Sequence, residues 1–86
     1  MDYYLILARS VTYAQRMKLA LERAGLRCQI FRAPRELTDS GCAYAVRLPA
    51  ADLVAALPVL YREALDPVQI FLNQRGVFRE VSHDLP

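Results

Sequence analysis

Apolar residues recur at three- and four-residue spacing in two stretches of the chain and form continuous or alternating runs elsewhere, so strands and helices are expected to interleave. Tyr3 to Ala8 is a continuous apolar run closed by Arg9-Ser10, as in a central strand. Ser10 is a good helix N-cap, and Thr12-x-x-Gln15 offers a second start. Val11, Ala14, Met17, Ala20, Leu21 and Ala24 then share one side, Arg16, Lys18, Glu22 and Arg23 the other, and Gly25 follows, which predicts a helix over 11–24. Leu26 to Arg32 reads as a second strand, with Cys28 and Ile30 on one face, Gln29 and Phe31 on the other, and Ala33-Pro34 ending it. After a polar loop, Ala43 to Leu48 is a third strand in which Tyr44, Val46 and Leu48 share a face. Pro49 opens a second helix carried by Leu53, Ala56, Leu57, Leu60, Tyr61 and Ala64. Pro58 lies inside it, and an interior proline costs ~3 kcal/mol, so a kink or break is expected between Val54 and Pro58. Val68 to Leu72 is a fourth strand, Asn73-Gln74-Arg75-Gly76 a turn, and Val77 to Val81 a fifth strand in a hairpin.

This order predicts an α+β domain of the ferredoxin-like βαββαβ type, an antiparallel sheet with both helices on one face and an extra C-terminal hairpin strand. Residues 1–82 form a single domain in this reading and 83–86 a tail. A right-handed crossover makes the first two strands parallel, with the third antiparallel between them. Phe31, Ala43, Ala45 and Phe71 then fall on the face away from the helices, an open apolar face suited to a homodimer.

Composition narrows the function. An apolar fraction of 55% without low-complexity runs argues for a packed globule. No run approaches the ~20 residues that would span a bilayer, and the opening Met-Asp-Tyr-Tyr-Leu-Ile-Leu-Ala has no basic leader, so no membrane association and a cytoplasmic location are expected. A net charge of +2 is too balanced to argue for nucleic acid by itself, although ten of the 11 basic residues are arginine, which suits fixed contacts to oxyanions. Two cysteines and one histidine, without a C-x-x-C pair, predict no metal site, and no cofactor motif is present.

The remaining chemistry lies in Ala33-Pro34-Arg35-Glu36-Leu37-Thr38-Asp39-Ser40-Gly41-Cys42-Ala43-Tyr44, where a cysteine follows a glycine as a polar loop turns into a strand. In the expected topology Arg9, Ser10, Arg32, Arg35 and Cys42 gather at one sheet edge beside the start of the first helix, while Cys28 stays at the far edge as a small core residue and no disulfide forms. Helix N-termini and neighbouring arginines lower a cysteine pKa from ~8.5 to as little as ~3.5–7.5. Cys42, in phase with Tyr44 and Val46, is expected to face the helix start.

Pro34-Arg35-Glu36-Leu37-Thr38 leading to Gly41-Cys42, together with Tyr-Leu-Ile-Leu-x-Arg-Ser-x-Thr-x-Ala at Tyr4 to Ala14, resembles the small-domain family described as putative selenium/sulfur carrier proteins. That family typically has Gly after the cysteine and a loop one residue shorter, whereas Ala43 stands there in this chain. The resemblance implies that Cys42 bears a sulfur or selenium atom as a persulfide or selenosulfide, relayed between a donor and an acceptor protein. Arg9, Arg32, Arg35, Ser10 and Gly41 would support it. Two alternatives stand beside the carrier: a binding or assembly module with an inert cysteine, and an RNA-binding domain. The second is the poorer, because Cys42 sits where a stacking aromatic is needed.

Overall fold

A computed structural model describes residues 2–37 and 44–81. Its elements are β1 (Tyr3–Ala8), α1 (Val11–Arg23), β2 (Gln29–Arg32), β3 (Tyr44–Pro49), α2 (Leu53–Arg62), β4 (Gln69–Gln74) and β5 (Val77–Val81), with 3-10 turns at Arg35–Leu37 and Ala50–Asp52. The five strands form one sheet in the order β2-β3-β1-β4-β5, each neighbouring pair antiparallel. The fold is therefore α+β, with β1 and β2 parallel on either side of β3 and with β5 added by a hairpin, as the sequence predicts.

β1 is the middle strand, and its four residues Leu5 to Ala8 are each no more than 4% exposed. Side chains alternate across a strand, so β1 feeds two cores. Ile6 and Ala8 join Val46, Leu48 and Ile70 under Ala14, Met17, Ala20 and Leu21 of α1 and Leu53, Ala56, Leu57, Val59 and Leu60 of α2. Leu5 and Leu7 join Ala45 and Phe71 on the opposite face, where no helix residue packs, and are covered instead by Ala33 and Leu37 from the β2–β3 connection and by Tyr3 and Phe78.

Both helices end in the same device. Past α1, the Leu26 N–H donates to the Leu21 carbonyl at 2.9 Å and the Gly25 N–H to Glu22 at 2.9 Å, a Schellman motif with Gly25 at φ 85°. Past α2, the Leu65 N–H donates to Leu60 at 2.8 Å and the Ala64 N–H to Tyr61 at 3.1 Å, and here an alanine takes the left-handed position, at φ 58°.

Several boundaries differ from the sequence-based expectation. β2 begins at Gln29 and not at Leu26, because the Leu26 amide is engaged in the helix cap. Pro49 ends β3 instead of opening α2, which starts only after the Ala50–Asp52 turn. No break occurs near Pro58: α2 runs through it, with Pro58 on the exposed side and Val54 76% exposed, so the carbonyl deprived of its i+4 partner lies where water can reach it. β4 extends to Gln74, leaving a two-residue turn in which Arg75 and Gly76 have φ of 53° and 83°, the type I′ geometry that matches strand twist. The Asn73 side-chain oxygen accepts from the Gly76 N–H at 3.3 Å, which accounts for its burial. Finally, among the described residues the face expected to be open is largely closed: Leu5, Leu7, Ala45 and Phe71 are at most 7% exposed, and Phe31 stands out at 40%. Ala43 and the 83–86 tail lie outside the described residues.

The left-handed alanine sets a test of the helix-end argument. Left-handed backbone costs a non-glycine residue ~1–2 kcal/mol, while glycine adds ~0.4–1 kcal/mol of unfolded-state freedom. Ala64→Gly should therefore raise the melting temperature by a few degrees. Gly25→Ala should lower it although a Cβ there meets nothing within 4 Å. Thermal unfolding of the two variants measures both, and a fall for Ala64→Gly would contradict the assignment of strain.

Candidate functional site

The register places one end of three adjacent strands in a single row. Tyr44, the first residue of β3, lies opposite Ala8 of β1 on one side and Arg32 of β2 on the other. Arg9 and Ser10 continue the chain from Ala8, so Arg9, Ser10 and Arg32 meet at the edge where residues 38–43 lead into the sheet.

Ser10 is the N-cap of α1, its extended backbone at φ −158° letting the hydroxyl oxygen accept from the Tyr13 N–H at 3.3 Å. Its own O–H stays available to donate, next to the unpaired amides of the first helical turn. Arg9 lies over the Tyr13 ring, 5.5 Å from its centroid, with Arg16 at 5.8 Å from the same ring, and Arg32 lies 5.8 Å from the centroid of Tyr44. An aromatic face holds a guanidinium by its quadrupole. Tyr13 and Tyr44, both half-buried against the helix-side core, thus act as platforms for the arginines. Sequence reading treated Tyr44 only as an apolar strand position and gave Tyr13 no role.

Arg35 does not join this row. It is exposed on the 3-10 turn whose Leu37 packs onto the face away from the helices, with the Leu37 N–H donating to the Pro34 carbonyl at 3.0 Å. Gly41 and Cys42 lie outside the described residues. Among the described residues no group of His, Cys, Asp and Glu is arranged to hold a metal ion.

Cys28 sits just before β2, at the end opposite Arg32, and is a free thiol in the helix-side core, 8% exposed. Its S–H donates to the Lys18 carbonyl at 3.8 Å. Burial first, and then the negative charge of Glu22, push its pKa up, partly offset by Lys18. A thiol held in its neutral form is a poor nucleophile.

This environment makes two expectations for Cys28→Ala. Removing the sulfur from packed surroundings should cost about 1 kcal/mol, or ~4–8 °C in melting temperature for a domain of this size. The pH dependence should change as well. An unfolded cysteine ionises near ~8.5 whereas the folded Cys28 remains protonated beyond that, so unfolding releases a proton there and stability falls as pH rises above ~8.5. Chemical denaturation of parent and variant between neutral and alkaline pH should find that Cys28→Ala loses less stability on the alkaline side; parallel losses would contradict the raised pKa.

Comparison with known proteins follows the same outline. No curated protein and no solved structure matches the chain. A family model does, that of the putative Se/S carrier protein-like proteins, and it matches residues 3–72, from the start of β1 to Leu72 in β4. With most of its length inside that match, the chain belongs to the Se/S carrier protein-like family.

Proposed function

We propose that this protein is a cytoplasmic sulfur or selenium carrier, with Cys42 as the cargo residue. The observation that carries the reading is the row Ala8–Tyr44–Arg32, which brings Arg9, Ser10 and Arg32 to the edge where the segment holding Cys42 enters the sheet. One residue, Ala43, lies between Cys42 and Tyr44 in the sequence, a span of at most about 7 Å of extended chain. The burial of Cys28 supports the same choice by elimination. The β2-β3-β1-β4 core with both helices on one face supports a ferredoxin-like arrangement of a single domain over 1–82, with β5 as an added edge strand.

The transfer is an exchange at sulfur. The Cys42 thiolate attacks the terminal sulfur of a donor persulfide, a Cys42–sulfur bond forms, the donor's sulfur–sulfur bond breaks, and the donor leaves as a thiolate, with no net oxidation. The cargo on Cys42 is then an anion, which Arg9 and Arg32 stabilise by charge and Ser10 by a donated hydrogen bond. Arg35 contributes positive potential from the loop, and Gly41 gives the backbone before the thiol its freedom. An acceptor removes the terminal sulfur or selenium by the same exchange in reverse.

The test is intact mass after incubation with a cysteine desulfurase and cysteine. One sulfur atom should be added, removed by a reductant, and located at Cys42 by peptide mapping, with Cys42→Ser unmodified. Arg9→Gln with Arg32→Gln should slow loading several-fold at low ionic strength, where charge acts furthest. The absence of any adduct, or an adduct on Cys28, would leave a binding module without thiol chemistry as the reading.

A further inference from the structure

The other end of the sheet holds a cleft that the carrier reading leaves unused. It has a volume of about 560 Å³ and lies where the α1 cap, the start of β2 and the ends of β1 and β3 meet. Ligand pockets run from ~300 to ~1,000 Å³, so a small organic molecule fits. Arg27 and Arg47 stand at its wall with Gln29, and Tyr3, Leu26 and Pro49 give it an apolar side.

Neither of its two arginines forms an ion pair among the described residues. Arg27 is exposed and makes no ion pair or hydrogen bond among the described residues. Arg47 is held between rings, its guanidinium 4.2 Å from the Tyr3 centroid and 5.4 Å from that of Phe31, with no side-chain hydrogen bond or ion pair among the described residues. Tyr3 is itself fixed edge-on to Phe78 at 6.4 Å and 77°. Phe31, Arg47, Tyr3 and Phe78 thus form a row across β2, β3, β1 and β5 that fixes one cation by its faces and leaves its N–H edge unoccupied. The two acids at the cleft are already engaged: Glu22 pairs with Lys18 at 3.5 Å, and Asp2 accepts from the Gln74 side-chain amide at 3.3 Å. The Cys28 thiol, held protonated, adds no negative charge to the wall. With Lys18 paired to Glu22, the cleft and its rim hold three cations, Arg27, Arg47 and Lys18, against the carboxylates of Asp2 and Glu22, so the local balance is positive.

We propose that this cleft binds a small organic oxyanion, its phosphate or carboxylate on Arg27 and Arg47 and its apolar body against Tyr3, Leu26 and Pro49. A guanidinium immobilised on aromatic rings loses little freedom on binding, which favours a fixed bidentate contact over a diffuse one.

Phenyl phosphate, phenylacetate and phenol, titrated separately into the folded protein and followed by backbone amide shifts, test this. Either or both of the anions should shift the amides of residues 25–29 and 47–48 saturably, and which one does so identifies phosphate or carboxylate as the favoured group; phenol should bind at least tenfold more weakly. Arg27→Gln should weaken the anion at least tenfold without unfolding the protein, because the side chain is exposed and makes no ion pair or hydrogen bond among the described residues. Arg47→Gln should do the same, and its folding is checked by the dispersion of the remaining amides. Arg9→Gln, at the opposite sheet edge, should have no effect. Binding of neither anion, binding of phenol as tight as that of the anions, or unchanged affinity in Arg27→Gln would overturn the proposal and would leave the carrier reading untouched.

Discussion

Burial on both faces of β1 is the constraint on which the rest of this fold depends. Two helices of 13 and 10 residues lie on the same side of a five-stranded sheet, and among the described residues no α-helix covers the other side. Leu5 and Leu7 project there, and fully burying a leucine is worth ~1.5–3 kcal/mol. The β2–β3 connection meets the need by laying Ala33 and Leu37 over them, with Tyr3 and Phe78 completing the cover. The segment that leads to Cys42 is thus partly a structural element, anchored at 33 and 37 on one side and at Tyr44 on the other.

The same constraint explains how much of the architecture was legible in the sequence. β1, α1 and β5 were readable because each is governed by local signals: an unbroken apolar run, a serine cap with helical periodicity, and a hairpin turn. The position of β3 between the parallel β1 and β2 was expected from the order of elements and a crossover rule that needs no side-chain detail. What sequence could not supply was the role of Leu37, since one leucine in a polar loop has no period, and only the three-dimensional shortage of cover on the second face assigns it to a core. The ends of β2 and β4 moved for a similar reason. Leu26 belongs to a cap motif defined by hydrogen bonds back to α1, and Arg75 occupies a left-handed position that its residue type does not advertise.

The candidate site divides along the same line. That Arg9, Ser10 and Arg32 share an edge followed from topology alone, whereas Arg35, three residues beyond Arg32, leaves the row because its turn is drawn to the opposite face by Leu37. The aromatic platforms were not legible, because a tyrosine that carries a guanidinium has the same pattern as one that merely fills a core. Both ends of the sheet use that device, Arg9 and Arg32 on Tyr13 and Tyr44 at one and Arg47 on Tyr3 and Phe31 at the other. In a chain whose cations are nearly all arginine, aromatic rings hold guanidinium groups in place at both ends of the sheet.

The account assigns opposite duties to the two cysteines, one buried and protonated within the helix-side core, the other proposed as the reactive thiol at the arginine-lined edge. Limited alkylation of the folded protein at neutral pH, with each cysteine followed by peptide mapping, tests that division most directly. Cys42 should be modified first and Cys28 only as the protein unfolds, so that denaturant accelerates labelling of Cys28 far more than of Cys42. Labelling of Cys28 in the folded protein as fast as, or faster than, Cys42 would contradict the account.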